Sequence, residues 1–283
     1  MSTRREFLRH SVAALGAVSL PWPAGSFVPG DRLDRIGVQL YTVRKEMERD
    51  FDGTLTRVAS IGFHEVEFAG YFNRTPEQVK DILTRLGLSA PAGHMPYESL
   101  TNAESWGKIL DAANRIGHQY VIIAWTPAEA RRTMDDWKRV AEGFNWAGRK
   151  AKEAGLGFAY HNHDFEFKSI DGQIPFDLLL AETDPELVKI EMDLYWITLG
   201  GFDPLQYFRR FPGRFPMVHV KDMKKGGERP QMVDVGKGDI DFRGIFARRE
   251  DAGIRHFFVE HDEPADPMAS ITDSYQYLKH LQF

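Results

Sequence analysis

The 283-residue chain contains no cysteine. That excludes disulfides and thiolate metal sites, so any bound metal must use histidine and carboxylate ligands. An oxidising compartment is tolerated without mispairing. A basic excess is also missing. Lys and Arg number 36 against 41 Asp and Glu, a net charge of −5, and the pI is near 6.1. A nucleic-acid partner calls for a basic face, so none is expected. The apolar stretch from Ser11 to Leu20 is shorter than the roughly 20 apolar residues a membrane span needs, so no stable membrane anchor is expected. No Gly-x-Gly-x-x-Gly follows the first strand pattern, which weakens a dinucleotide-binding reading. No low-complexity tract interrupts the chain after Arg32. Against these absences, a hydrophobic fraction of 42%, with 12% aromatics, is enough to fill one core.

The N-terminus reads Ser2-Thr3-Arg4-Arg5-Glu6-Phe7-Leu8-Arg9, then an Ala/Gly-rich apolar stretch and Pro21-Trp22-Pro23. This order resembles a twin-arginine export signal; the alternative is a basic amphipathic helix. The resemblance implies the twin-arginine export machinery as a partner and a periplasmic or otherwise exported location. That route carries folded proteins, which suits an enzyme that takes its metal in the cytoplasm. No clean small-x-small cleavage site is visible. Residues 1–30 are therefore set apart as a signal segment, and 31–283 are read as one domain.

That domain reads as strand then helix, eight times. Strands are expected over 35–41, 64–68, 89–94 and 120–125, then ending at His163, Asp193, near Lys221 and at Glu260. Helices are expected over about 52–60, 76–86, 101–116, 134–154, 175–182, 204–211, 242–251 and 267–281. Thr75 before Pro76 is a start signal, and Thr101 is taken as the opening of the third helix. Glycine follows five of the helices, as at Gly62 and Gly253. Alternation with short turns means a parallel sheet. Eight units favour a closed (β/α)8 TIM barrel, a single domain of the expected ~250 residues.

Four short apolar runs in the second half each end in a metal-binding or acid/base side chain. They are Phe158-Ala159-Tyr160-His161, Ile190-Glu191-Met192-Asp193, Met217-Val218-His219 and Phe257-Phe258-Val259-Glu260. Histidine and carboxylate are poor guests in a buried strand unless paired or holding a cation. Four at successive strand ends point to one site at the carboxyl face of a barrel. By parity Glu191 and Asp193 face the same side; the alternative is that both are interior acids satisfied by neighbouring lysines. In Glu260-His261-Asp262-Glu263, a solvated acidic loop accounts for the last three. The segment 224–230 is either a mobile lid or a solvated turn, and the turn around Gly236 and Gly238 could bring Lys237 to the site.

These runs resemble the xylose-isomerase-like barrel superfamily of sugar isomerases and epimerases, over nearly all of residues 33–283. The resemblance implies one divalent ion, manganese by preference, with Mg, Co or Zn as alternatives. Asp193, His219 and Glu260 match the family's ligands after strands six, seven and eight. At strand five many members have Glu-Asn-His where this chain has His161-Asn162-His163, so His161 would complete the set. Family epimerases use two metal-bound glutamates on opposite sugar faces. Here only Glu260 remains as a carboxylate base, and His161, His163 or Glu166 would have to partner it. Gln39, Glu67, His94 and Trp125 at the ends of strands one to four, with Glu166, Trp196, Lys221 and Tyr41, make a mouth suited to binding a sugar; each has a structural alternative.

The expectation is a metal-dependent sugar isomerase or epimerase, abstracting a proton beside a carbonyl of a sugar or keto-sugar. The alternatives are a 3-keto-glycoside lyase or hydratase on the same barrel, and a sugar-binding barrel whose metal site is inert. An abasic-site endonuclease shares the barrel but needs a basic face. Replacing Arg4 and Arg5 together with Lys should leave the folded protein in the cytoplasm with its activity intact. Cell fractionation checks this, and unchanged export would remove the basis for a periplasmic location.

Overall fold

The computed structural model describes residues 30–283. The paired arginines and the apolar stretch after them lie outside these residues. Eight parallel strands close a barrel: β1 (Gly37–Gln39), β2 (Glu65–Ala69), β3 (Ser89–Met95), β4 (Tyr120–Ile123), β5 (Gly157–His161), β6 (Val188–Asp193), β7 (Met217–Val220) and β10 (His256–Val259). An antiparallel hairpin, β8 (Asp222–Lys224) with β9 (Gln231–Val233), is inserted between β7 and β10. The single (β/α)8 barrel expected from the alternation is the architecture found.

Strand parity sorts the side chains into two cores. In β5, Phe158 and Tyr160 join the large apolar layer beneath the helices, whereas Ala159 belongs to a separate cluster. That cluster, Ala92, Ile122, Ala159, Met217 and Phe258, is fully buried and fills the barrel interior. Gly37 lacks the Cβ that would run into the Phe258 ring, so a glycine on β1 makes room for a phenylalanine on β10. The interior is thus a packed floor, and polar side chains one step further along most of the strands, such as His94, His161 and His219, stand above it.

The helices follow their caps. Thr75 and Gln78 form a reciprocal capping box ahead of Pro76–Leu86, and Thr133 and Asp136 do the same ahead of Met134–Glu153. The third helix starts two residues later than Thr101 suggests. Asn102 caps Ala103–Ile116 by accepting from the Ser105 N–H, and Thr101 ends a preceding 3-10 turn. The β8–β9 hairpin is one of several elements the sequence reading does not contain. Short helices at Arg44–Arg49 and Leu194–Leu199 follow β1 and β6 closely, and the expected 242–251 helix is split into Phe242–Phe246 and Arg249–Ala252.

The hairpin explains segment 224–230, whose greater part is the turn joining β8 and β9. Asp222 anchors it. Its buried carboxylate accepts the N–H groups of Met223, Gly236, Gly238 and Ile240. Lys237 points away from the barrel mouth, paired with Asp234 and Asp273. Asp222→Ala leaves four donors without their acceptor and should cost about 2–3 kcal/mol. Chemical denaturation checks this, and Asp222→Asn should rescue it only partly, because its amide nitrogen cannot accept.

Candidate metal and substrate site

The structure brings His161, Asp193, His219 and Glu260 together: one ligand atom from each lies within 4.8 Å of the others, and all four residues are buried. They come from the ends of β5, β6 and β7 and the residue after β10. Asp193 and His219 are in register across β6 and β7, so adjacent strands deliver them at one height. The helix opening at Leu194 fixes Asp193, whose Oδ1 accepts the Trp196 N–H at 2.9 Å while Oδ2 faces the cluster. Asn162 fastens the same residue from β5 by accepting the Asp193 N–H; the sequence reading gave Asn162 no role. His161 Nδ1 lies 3.2 Å from the Ala124 carbonyl, to which it donates, leaving Nε2 toward Asp193.

Glu260 Oε2 and His219 Nδ1 approach to 2.6 Å, yet neither atom has an aligned hydrogen-bond partner. Two buried electron-pair donors left without an aligned partner suit a cation, as does the mixed N/O donor set. The residues fit a divalent ion.

Lys221 shares this space, with Nζ 3.1 Å from Asp193, 2.7 Å from Glu260 and 2.8 Å from Asp262. Burial opposes its charge, but these three carboxylates outweigh burial and hold its pKa well above the usual lysine value. Burial would also raise Glu260, yet Lys221 and His219 win and hold its carboxyl well below the usual range. His163 is different: burial, then the His161 and Lys221 charges, push it well down, so it is a neutral imidazole.

A cavity of about 560 Å³ opens above the cluster, lined by His94, His161, His163, Lys221, Glu260 and Asp262 among others. Trp125 and Tyr41 stand exposed at its rim. Asp262 is a correction. Of the solvated acidic loop expected there, Glu263 is exposed but Asp262 turns inward to Lys221, and burial raises the Asp262 pKa above its ordinary value. Glu166 departs the other way. It is fully buried beside β5, with its carboxylate taken by Tyr160 Oη at 2.5 Å and the His163 N–H at 2.8 Å; it does not line the cavity. Trp196, expected at the mouth, does not line the cavity either; its ring packs behind it, 5.5 Å from His163 and 5.7 Å from the Lys221 ammonium.

Gln39 and Glu67 are wholly buried beneath the mouth. Glu67, His94, Glu191 and His219 form a second set with donor atoms within 4.8 Å of one another. Glu191 is therefore an interior acid, but histidines rather than lysines satisfy it: His94 Nε2 lies at 2.7 Å and His219 Nε2 at 3.2 Å. Burial, with the neighbouring Glu191 charge, raises Glu67 to about 7. The two histidines outweigh the burial of Glu191 and hold its carboxyl well below the usual range.

Lys221→Met deprives Asp193, Glu260 and Asp262 of their shared cation. The metal-free variant should lose about 3–5 kcal/mol, the scale for breaking a buried pair. Saturating Mn2+ should restore much of it, read as a recovered denaturation midpoint over an EDTA control.

The sequence pattern of the xylose isomerase-like TIM barrel family matches residues 55–281. Inosose dehydratase 2 of Bacillus cereus (strain ZK / E33L) is 32% identical over 216 residues, covering 69% of this chain and 70% of that protein. A sugar phosphate isomerase/epimerase from Parabacteroides distasonis superposes with a TM-score of 0.74 at 26% identity, covering 93% of this chain and 97% of the other. An IolI protein solved with a zinc atom bound has a TM-score of 0.70 at 12% identity, covering 86% and 95%, a likeness of fold. No helix among the described residues is long and apolar enough to cross a membrane. Eight parallel strands in a closed barrel, four N/O donors at their ends and the matched pattern lead to one statement: the chain belongs to the xylose isomerase-like TIM barrel family.

Proposed function

We propose that this protein is a divalent-metal-dependent lyase of the dehydratase type, acting on a keto-sugar or keto-polyol. The observation that carries the reading is the convergence of His161, Asp193, His219 and Glu260 beside a cavity that also holds a neutral imidazole, His163. An ion held by these four would polarise a substrate carbonyl and stabilise the enediolate charge. The zinc-bound neighbour supports a divalent ion, and manganese is the ion expected from the family resemblance.

The chain's own residues supply the proton transfers. Glu260, kept ionised by Lys221 and His219, accepts the proton from the carbon next to the carbonyl. The C–H electron pair becomes the new C=C bond as the oxygen on the neighbouring carbon departs and takes up a proton. The proton that oxygen takes up is the one Glu260 has accepted, relayed by the neutral His163 imidazole at the cavity wall, which gains it on one nitrogen as it gives one from the other; Trp125 and Tyr41 offer ring faces to the sugar. Elimination needs one base on one face. A two-glutamate epimerase needs a second carboxylate, and position 161 carries histidine instead. The inosose dehydratase relatives point the same way.

An isomerase or epimerase is the second reading, supported by the Parabacteroides distasonis structure. Both share the first step, and incubation of Mn2+-loaded protein in deuterated water with an inosose and a 3-keto-glucoside separates them. The lyase reading expects loss of the β-oxygen substituent and a new enone absorbance. Deuterium incorporation with retention of every oxygen supports the isomerase or epimerase instead. Glu260→Gln keeps a neutral oxygen ligand but removes the base; exchange should fall by about 10²–10⁴-fold at full metal occupancy. Near-normal exchange would move the base to His163, which His163→Gln then tests.

A further inference from the structure

His219 is fully buried, and its two ring nitrogens face opposite ways. Nδ1 looks up, 2.6 Å from Glu260 and 3.8 Å from Asp193. Nε2 looks down, 2.6 Å from Glu67 Oε2 and 3.2 Å from Glu191 Oε2. A neutral imidazole has one N–H and one lone pair, so whichever nitrogen holds the proton leaves the other as the ligand.

The lower layer is built to hold that proton. The Tyr41 N–H donates to Gln39 Oε1 at 3.0 Å, which turns the Gln39 amide so that Nε2 donates to Glu67 Oε2 at 2.7 Å. Glu67 is thereby fixed with the same oxygen against His219. In the closed barrel, β2 lies directly opposite β6 and β3 directly opposite β7. Glu67, Glu191, His94 and His219 therefore meet on the axis from two crossed pairs of strands. His94 stacks on His219 at 5.3 Å with 16° between the rings, limiting rotation.

We propose that Glu67, oriented by Gln39, is a positioning residue for the metal centre. It accepts the Nε2–H of His219, fixes the tautomer and presents Nδ1 as the ligating nitrogen; Glu191 is a longer secondary acceptor. Carboxylate partners of ligating histidines raise ligand basicity and hold ring orientation. The inference rests on the candidate metal centre but not on the reaction assigned to it. It can therefore fail while the lyase reading stands, and the reverse also holds.

The test reads zinc binding rather than turnover. Full-length protein with 15N-labelled histidine is loaded with zinc alone, and two variants are compared: Glu67→Gln, which is isosteric and keeps an acceptor, and Glu67→Leu, which has none. In wild type, His219 should show a slowly exchanging Nε2–H and an unprotonated Nδ1. Glu67→Gln should keep this pattern with a loss in zinc affinity of only a few fold. Glu67→Leu should lose the protected proton and bind zinc about 10–100-fold more weakly. If Glu67→Leu does not fold, Glu67→Gln and the wild-type tautomer still decide. Ligation through Nε2 overturns the proposal. So does unchanged zinc affinity in folded Glu67→Leu, or a second zinc per wild-type chain that Glu67→Gln removes, which would make Glu67 a ligand.

Discussion

Four carboxylates, Glu67, Glu191, Asp193 and Glu260, are packed into one end of a barrel with none more than 5% exposed. Burying that many charges without compensation would cost several kcal/mol per ion, so the rest of the site follows from how they are balanced. Lys221 stands between Asp193 and Glu260, and His219 stands between Glu260 above and the Glu67–Glu191 pair below. Burial raises the pKa of Glu67, while the histidines hold that of Glu191 below the usual carboxylate range. A divalent cation would enter a space already shaped for positive charge, in exchange for protons and for part of the Lys221 contact; metal binding and proton release are linked for this reason.

The barrel makes such a concentration of charge tolerable by separating it from the hydrophobic work. Outward-facing positions such as Phe158, Tyr160, Ile190 and Met192 bury against the helices, and the interior floor of Ala92, Ile122, Ala159, Met217 and Phe258 closes the barrel from beneath. The clustered polar side chains of the site occupy the step above that floor, where each can reach partners from across the axis, while a separate His256–Glu65 pair lies at the strand starts. The loops add constraint rather than mobility. Asp222 ties the hairpin to the Gly236–Ile240 turn, and the helix after β6 locks Asp193 through its own backbone.

Two acids illustrate how far local sequence carries. Glu166 and Asp262 both lie a short distance beyond a strand end; the sequence reads Glu166 as a residue of the sugar-binding mouth and Asp262 as part of a solvated loop. Glu166 is drawn away from the cavity because Tyr160, six residues earlier on β5, places a hydroxyl against it. Asp262 is drawn in because Lys221, from the neighbouring strand end, has room for a third carboxylate. Neither outcome has a local signal, since each depends on a partner chosen by the packing of the barrel.

The sequence by itself determined the architecture and the upper cluster. Hydrophobic runs of strand length, proline and glycine punctuation and eight repeats demand a closed parallel barrel, and the last polar side chain of a strand must then face its mouth. His161, Asp193, His219 and Glu260 were legible for that reason. The tertiary structure alone decided what lies beneath and beside them. The Gln39–Glu67–His219 chain joins residues up to 180 positions apart, brought together only by closure of the barrel. Pairing across an axis is a property of barrel geometry, and strand periodicity reports only which face a side chain takes, never what waits opposite it.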